Sequence, residues 1–175
     1  EKNMHMIQWE YLSGNPNAIH LIEQRMDSVN WYALSANPSA IPLLKKNMNR
    51  VQWFRLSENP NAIHLLEEYP HKINWEYLCK NPNPKVLPLL EKNITKVHWD
   101  ILSKNPCAIP LLEKNLDKVD WDMLALNENA YHLFMRHPEK IVQHSEYLSF
   151  NPFIFEADTA KTYHKVSQFV RQVIS

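Results

Sequence analysis

Glycine is almost missing from this chain: Gly14 is the one glycine in 175 residues. Loops that cradle phosphates or dinucleotides need several glycines for close backbone approach, and nucleophile elbows need them for a sharp turn, so both are excluded. Cysteine is scarce as well. Cys79 and Cys107 each replace a small polar residue at a different slot of the repeat described below, which argues against a disulfide framework and fits a reducing, intracellular compartment. Net charge is zero, with Lys+Arg and Asp+Glu at 19 each. No large field exists to hold a polyanion by counterion release, so strong non-specific nucleic-acid binding is disfavoured. The longest aliphatic stretch, 86–90, is interrupted by Pro88 and falls far short of the roughly 20 residues that span a bilayer. With 45% hydrophobic residues the chain can nevertheless bury a core.

What is present is a period. All six tryptophans, Trp9, Trp31, Trp53, Trp75, Trp99 and Trp121, are spaced 22, 22, 22, 24 and 22 residues apart. Leucine follows each by three residues (Leu12, Leu34, Leu56, Leu78, Leu102, Leu124) and asparagine by six (Asn15, Asn37, Asn59, Asn81, Asn105, Asn127). The unit reads W-x-x-L-S-x-N-P-x-A-I-x-L-L. A seventh copy runs from Glu146 to Pro152, with Ser145 in the tryptophan slot and Asn151 in the asparagine slot. Two places absorb insertions, the doubled Asn-Pro from Asn81 to Pro84 and the loop around Gln143 and His144. Such self-similarity marks stacked supersecondary units.

Within one unit, Trp53 and Leu56 share a side of a short helix A, which Pro60 helps to end by restricting Asn59. Ala62, Leu65 and Leu66 then line one face of helix B. The expected N-caps of helix B are Asn17, Ser39, Asn61, Cys107 and Asn129, with Pro42, Pro88 and Pro110 in its first turn; a start with Pro38 or Pro60 at the first helical position is disfavoured. A polar turn leads to an apolar residue in every unit (Ile7, Val29, Val51, Ile73, Val97, Val119, Ile141), and Asn30, Asn74 and Asp120 are expected to cap helix A. Helices this short are marginal alone, so they must stack. The expected fold is an all-α, α/α tandem-repeat solenoid, or superhelix, of about seven two-helix units, on the order of 60 Å long. The Trp, Leu, Ile and Val positions are its expected continuous core.

Residues 1–152 form the repeat region, with the first unit truncated. Because Glu1 to Trp9 align one for one with Glu113 to Trp121, the chain reads as part of a longer polypeptide. Residues 153–175 form a C-terminal capping segment: Phe153, Ile154 and Phe155 lead through Asp158 into a helix with Tyr163, Val166, Val170 and Val173 on one face.

The motif as it stands from Trp99 to Leu112, with Cys107 and Pro110 in the open slots, resembles the short repeats abundant in proteins encoded by large DNA viruses of amoebae, and the ending 153–156 is similar too. The resemblance covers nearly the whole chain. It implies viral origin but carries over no activity and no catalytic residue. Glu128 in place of proline and Ser145 in place of tryptophan depart from the pattern and suggest a decaying last repeat.

Candidate chemistry is sparse. His20, His64 and His132 share one slot, but consecutive occurrences are at least two units apart, roughly 16–20 Å, too far to share a metal. Ser35, Ser57 and Ser103 recur with the repeat, whereas a catalytic serine is singular. The asparagine slot reads best as structural: a side chain with both donor and acceptor can satisfy the backbone freed where helix A ends before proline. Lys45, Lys46, Arg50 and Arg55 form at most a small basic patch, limited by neighbouring glutamates. The candidate interaction stripe lies one or two residues after each tryptophan slot: Tyr11, Tyr32, Phe54, Tyr77, Ile101, Met123 and Tyr147. It is either packing between successive A helices or a row of anchors for a partner helix or a second copy, and burial distinguishes the two.

These readings lead to a non-catalytic protein-interaction scaffold of viral origin, without metal or cofactor. The expected partner is another protein, host or viral; nucleic acid and membrane are disfavoured, and the chain is a monomer or weakly self-associating. The alternative is a self-associating structural or assembly component of a virion or replication compartment. Either is expected to be intracellular, in host cytoplasm, nucleus or viral factory, or packaged in the virion.

Overall fold

A chain interrupted by proline every few residues forms short helices, because each proline removes a backbone donor and restricts the residue before it. The computed structural model of the chain describes residues 8–148 and 151, with backbone alone at 142 and 145, and it is all-helical, with no strand among those residues. Ile7 and the expected capping segment 153–175 lie outside the described residues. The chain divides into two compact units, Glu1–Lys96 and Val97–Ser175.

In the first unit the A helices are Trp9–Gly14, Trp31–Ala36, Trp53–Ser57 and Trp75–Lys80, each packed on the next. In the second they are Trp99–Lys104, Trp121–Leu124 and Ser145–Leu148, again packed in sequence. The caps expected for them are present. The Asn30 Oδ1 accepts from the Ala33 N–H, the Asn74 Oδ1 from the Tyr77 N–H and the Asp120 Oδ1 from the Met123 N–H, each at 3.0 Å.

Helix B begins differently from expectation. Asn17, Ser39, Asn61, Cys107 and Asn129 are not its caps. The Asn-Pro pair opens a three-residue 3-10 turn, as in Pro38–Ala40, with proline at its first position and Asn37 extended before it (φ −75°, ψ 118°). The α-helical part follows from Ile41 to Lys46, which puts Pro42 in its first turn after all. The disfavoured start at Pro38 and the shallow position of Pro42 are thus both realised, because the tighter turn ends before the α-helix begins. The same design gives Pro16–Ala18 before Ile19–Ile22, Pro84–Val86 before Leu87–Lys92 and, in the second unit, Pro106–Ala108 before Ile109–Glu113. Ile63–Glu68 and Tyr131–Arg136 are the remaining B helices.

Six repeats, among the described residues, also have a third helical piece in place of the expected polar turn. It is a 3-10 turn at Met26–Ser28, Met48–Arg50, Pro70–Lys72 and Ile94–Lys96 in the first unit and at Leu116–Lys118 in the second. In the sixth repeat it lengthens to the α-helix Pro138–Gln143. Directly after these turns stand the apolar residues Val29, Val51 and Ile73, and Val119 in the second unit, all buried.

The core corrects a second expectation. Its fully buried positions are the leucine three after tryptophan (Leu34, Leu56, Leu78, Leu102, Leu124), the alanine slot (Ala40, Ala62, Ala108, Ala130, with Val86 in its place once) and the second apolar residue of the helix B pair (Ile22, Leu44, Leu66, Leu90, Leu112, Phe134). The tryptophans are only part-buried, and so are Ile19, Ile41, Ile63 and Ile109. A buried alanine lets the start of helix B approach the A helices closely. The indoles sit at the edge, against aromatic and cationic side chains: Trp53 lies 5.5 Å from Tyr69 and Trp121 lies 5.5 Å from Phe134.

Candidate interaction surface and the ladders beneath it

Two rows of buried polar side chains join successive repeats, and they decide which slots are free for anything else. The A helix ends at proline, which leaves its last carbonyls without the N–H groups that would continue the helix. The asparagine slot meets them. Asn59 Nδ2 donates to the Ser35 and Asn37 carbonyls of the preceding repeat at 3.0 and 2.9 Å, while its Oδ1 accepts from the Asn61 N–H at 3.0 Å. Asn81 repeats this against Ser57 and Asn59, and Asn37 reaches the Ser13 carbonyl at 2.9 Å. In the second unit Asn127 donates to Ser103 and Asn105, and Asn151 to Ala125 and Asn127; Asn105 accepts from the Cys107 N–H at 3.1 Å. Asn15 is exposed and accepts from the Asn17 N–H.

The serine slot forms a second ladder that sequence reasoning missed. Ser13, Ser35 and Ser57 hydroxyls donate to the carbonyls of Trp9, Trp31 and Trp53 and accept from the N–H of Asn30, Gln52 and Asn74, one repeat further on, at 3.0 Å. Ser103 accepts likewise from Asp120. The signal was available: serine recurs four residues after tryptophan, the spacing at which a helical hydroxyl reaches back to the carbonyl one turn earlier.

At the doubled Asn-Pro, Asn81 keeps both tasks of the slot and Asn83 adds bonds of its own. Asn81 keeps the ladder, Asn83 accepts from the Lys85 N–H, and the Asn83 amide reaches the Pro60 carbonyl at 2.7 Å. A cleft of about 400 Å³ lies here, lined by Pro60, Asn61, Ile63, His64, Glu67, Asn83 and Lys85. His20, His64 and His132 are all exposed, and no group of three or more metal-ligating side chains occurs among the described residues.

The stripe residues divide by repeat. In the first unit Tyr11 is 75% and Tyr32 49% exposed, while Phe54 and Tyr77 are part-buried. Tyr32, Phe54 and Tyr77 form one edge-to-face row across three A helices, with centroids 5.6 and 5.3 Å apart. Arg55 covers the Tyr32 ring at 4.6 Å and Lys80 the Tyr77 ring at 4.2 Å, and both cations are paired, Arg55 with Glu58 and Lys80 with Glu76. The Glu76 hydrogen bond holds the Lys80 ammonium above the usual lysine range. Inter-helix packing and exposure therefore coexist in one strip. In the second unit Ile101 and Met123 are part-buried and Tyr147 is exposed.

A further recurring slot escaped notice because charge was read along single helices rather than across repeats. A cation precedes the buried Val or Ile in five repeats: Arg50, Lys72 and Lys96 in the first unit, Lys118 and Lys140 in the second. Arg50 stands 4.9 Å from the Trp31 ring, Lys96 4.8 Å from Trp75 and Lys140 5.6 Å from Trp121. No helix among the described residues is long and apolar enough to cross a membrane. No family model, curated protein or solved structure matches the chain.

Proposed function

We propose that the chain is a non-catalytic protein-interaction scaffold, a solenoid of about seven repeats whose A-helix face binds another protein inside a cell. The observation that carries this reading is the aromatic strip of the first unit. Tyr11 and Tyr32 keep 75% and 49% of their surface exposed although leucine, alanine and valine complete the core without them. The hydroxyls of Ser13, Ser35 and Ser57 are engaged on both sides, which supports a structural rather than nucleophilic role. Viral origin, from the repeat resemblance, is part of the proposal. The test is capture from host or infected-cell extract by the immobilised chain, compared with Tyr11→Ala/Tyr32→Ala. Loss of the same captured species at unchanged melting temperature is expected; identical capture moves the surface elsewhere.

The second reading, a self-associating structural component, draws on Leu21. It is 41% exposed, whereas Leu43, Leu65, Leu111 and Leu133 in the same slot are at most 4% exposed and Leu89 is part-buried. This surface has the character of a repeat-stacking face. Concentration-dependent sedimentation that Leu21→Glu abolishes would favour it over the scaffold.

A further inference from the structure

Arg50, Lys72 and Lys96 end the three consecutive turns Met48–Arg50, Pro70–Lys72 and Ile94–Lys96, and all three are exposed. None of them belongs to an ion pair among the described residues. Their neighbours along the same turns, Asn49, Gln52, His71, Asn74 and Thr95, bring no carboxylate to the row. This is unusual in a chain whose charges balance at 19 against 19. Glu58 and Glu76 are occupied by Arg55 and Lys80, while Glu67 and Glu68 lie on helix B. Two of the three cations are also pre-positioned, Arg50 over Trp31 and Lys96 over Trp75, so less side-chain freedom is lost when an anion arrives.

We propose that this row is a docking site for an extended acidic segment of a partner protein, with Asp or Glu at about every third residue. The proposal rests on the scaffold reading and names the partner's chemistry. Stacked helices repeat at about 8–10 Å, and an extended polyproline II chain has three residues per turn and rises about 3.1 Å per residue. Carboxylates three residues apart therefore lie on one face, recur at about 9 Å and meet successive cations in register. Duplex nucleic acid, with a charge about every 1.7 Å of axis, is far denser than a row with one cation per repeat.

The experiment uses the full chain and fluorescence anisotropy at low and at physiological salt. The probes are a short labelled peptide with Glu at every third position and Gly and Ser between, an isomer with the same glutamates contiguous, and a labelled oligothymidine. The spaced peptide is expected to bind about tenfold more tightly than the contiguous one, a difference of about 1.4 kcal/mol. Lys72→Glu, at an exposed side chain in no ion pair among the described residues, should remove that advantage at an unchanged melting temperature, while Lys85→Glu, off the row, should preserve it. Equal affinity for the two peptides, preference for oligothymidine, or indifference to Lys72→Glu would each overturn the docking site. Since the scaffold reading is judged by Tyr11→Ala/Tyr32→Ala capture, a negative peptide result with positive capture removes the acidic segment and leaves the scaffold standing.

Discussion

Replacing Asn59 by alanine removes three hydrogen bonds from a residue with no exposed surface. The three losses are unequal. The Ser35 carbonyl, at the end of its helix, loses the amide that reaches it at 3.0 Å, and a buried acceptor left unmet costs about 1–3 kcal/mol. The Asn37 carbonyl keeps the Ala40 N–H at 3.1 Å, so the lost bond there costs nearer the net worth of a hydrogen bond, about 0.5–1.5 kcal/mol. Asn61 is exposed, and its N–H can turn to water. The expected destabilisation is therefore about 2–4 kcal/mol. Asn59→Asp should be worse than alanine, since it keeps the shape but sets acceptors against two carbonyls. Asn15→Ala, with its exposed local bond, should stay within about 0.5 kcal/mol. Urea unfolding of the full chain, followed by helical circular dichroism, ranks the variants. A wild-type midpoint for Asn59→Ala, or better tolerance of aspartate than of alanine, would refute the carbonyl-ladder reasoning.

Leu56→Ala, at a fully buried side chain, should cost about 2–5 kcal/mol, and part-buried Trp53→Ala about 1–3 kcal/mol; the reverse order in the same unfolding curves would return the tryptophans to the centre of the core. Ser57→Ala should speed hydrogen exchange at the Asn74 amide, and unchanged exchange would show that the serine does not hold that N–H. Burial pushes the Cys107 thiol up, partly offset by its hydrogen bond with Asn105, so less thiolate is present at a given pH than for an ordinary thiol. Native protein should react with iodoacetamide more slowly than a small free thiol, with urea removing the protection; equal rates would contradict the burial of this site.

Legibility followed the kind of signal each residue carries. Asn30, Asn74 and Asp120 could be placed as caps because a short polar side chain before the first helical residue has few other uses. The asparagine slot could be assigned to backbone carbonyls from its position before proline. Depth was harder to read. Periodicity tells which residues share a face, not how far inside they lie, so Trp53 and Ala62 looked equally internal although the alanine is buried and the indole forms the edge. The start of helix B was missed because one continuous α-helix was assumed, whereas a 3-10 turn from Pro38 followed by an α-helix from Ile41 accommodates both prolines. The row of Arg50, Lys72 and Lys96 becomes visible only once the repeats are stacked.

The sixth repeat separates what the ladders require from what the motif merely contains. At Ala125 the serine is gone, so the N–H before the next A helix has no hydroxyl to meet. The two extra residues between Trp121 and Ser145 compensate for this loss: the closing turn lengthens to Pro138–Gln143, and the His144 N–H bonds to the Lys140 carbonyl at 3.0 Å. A side-chain contact between repeats returns by another route, with His144 Nδ1 placed 2.6 Å from Asp122 Oδ1. The asparagine has no such substitute. Asn151 still donates to the Ala125 and Asn127 carbonyls at 2.7 and 3.0 Å, because the last turn of a helix presents its carbonyls whatever side chain fills the serine slot. A lengthened turn supplies one partner for one N–H, whereas two carbonyls on a neighbouring repeat need a group with two donors at a single point. That difference explains why the serine slot admits Ala125 while asparagine fills its slot in all seven repeats.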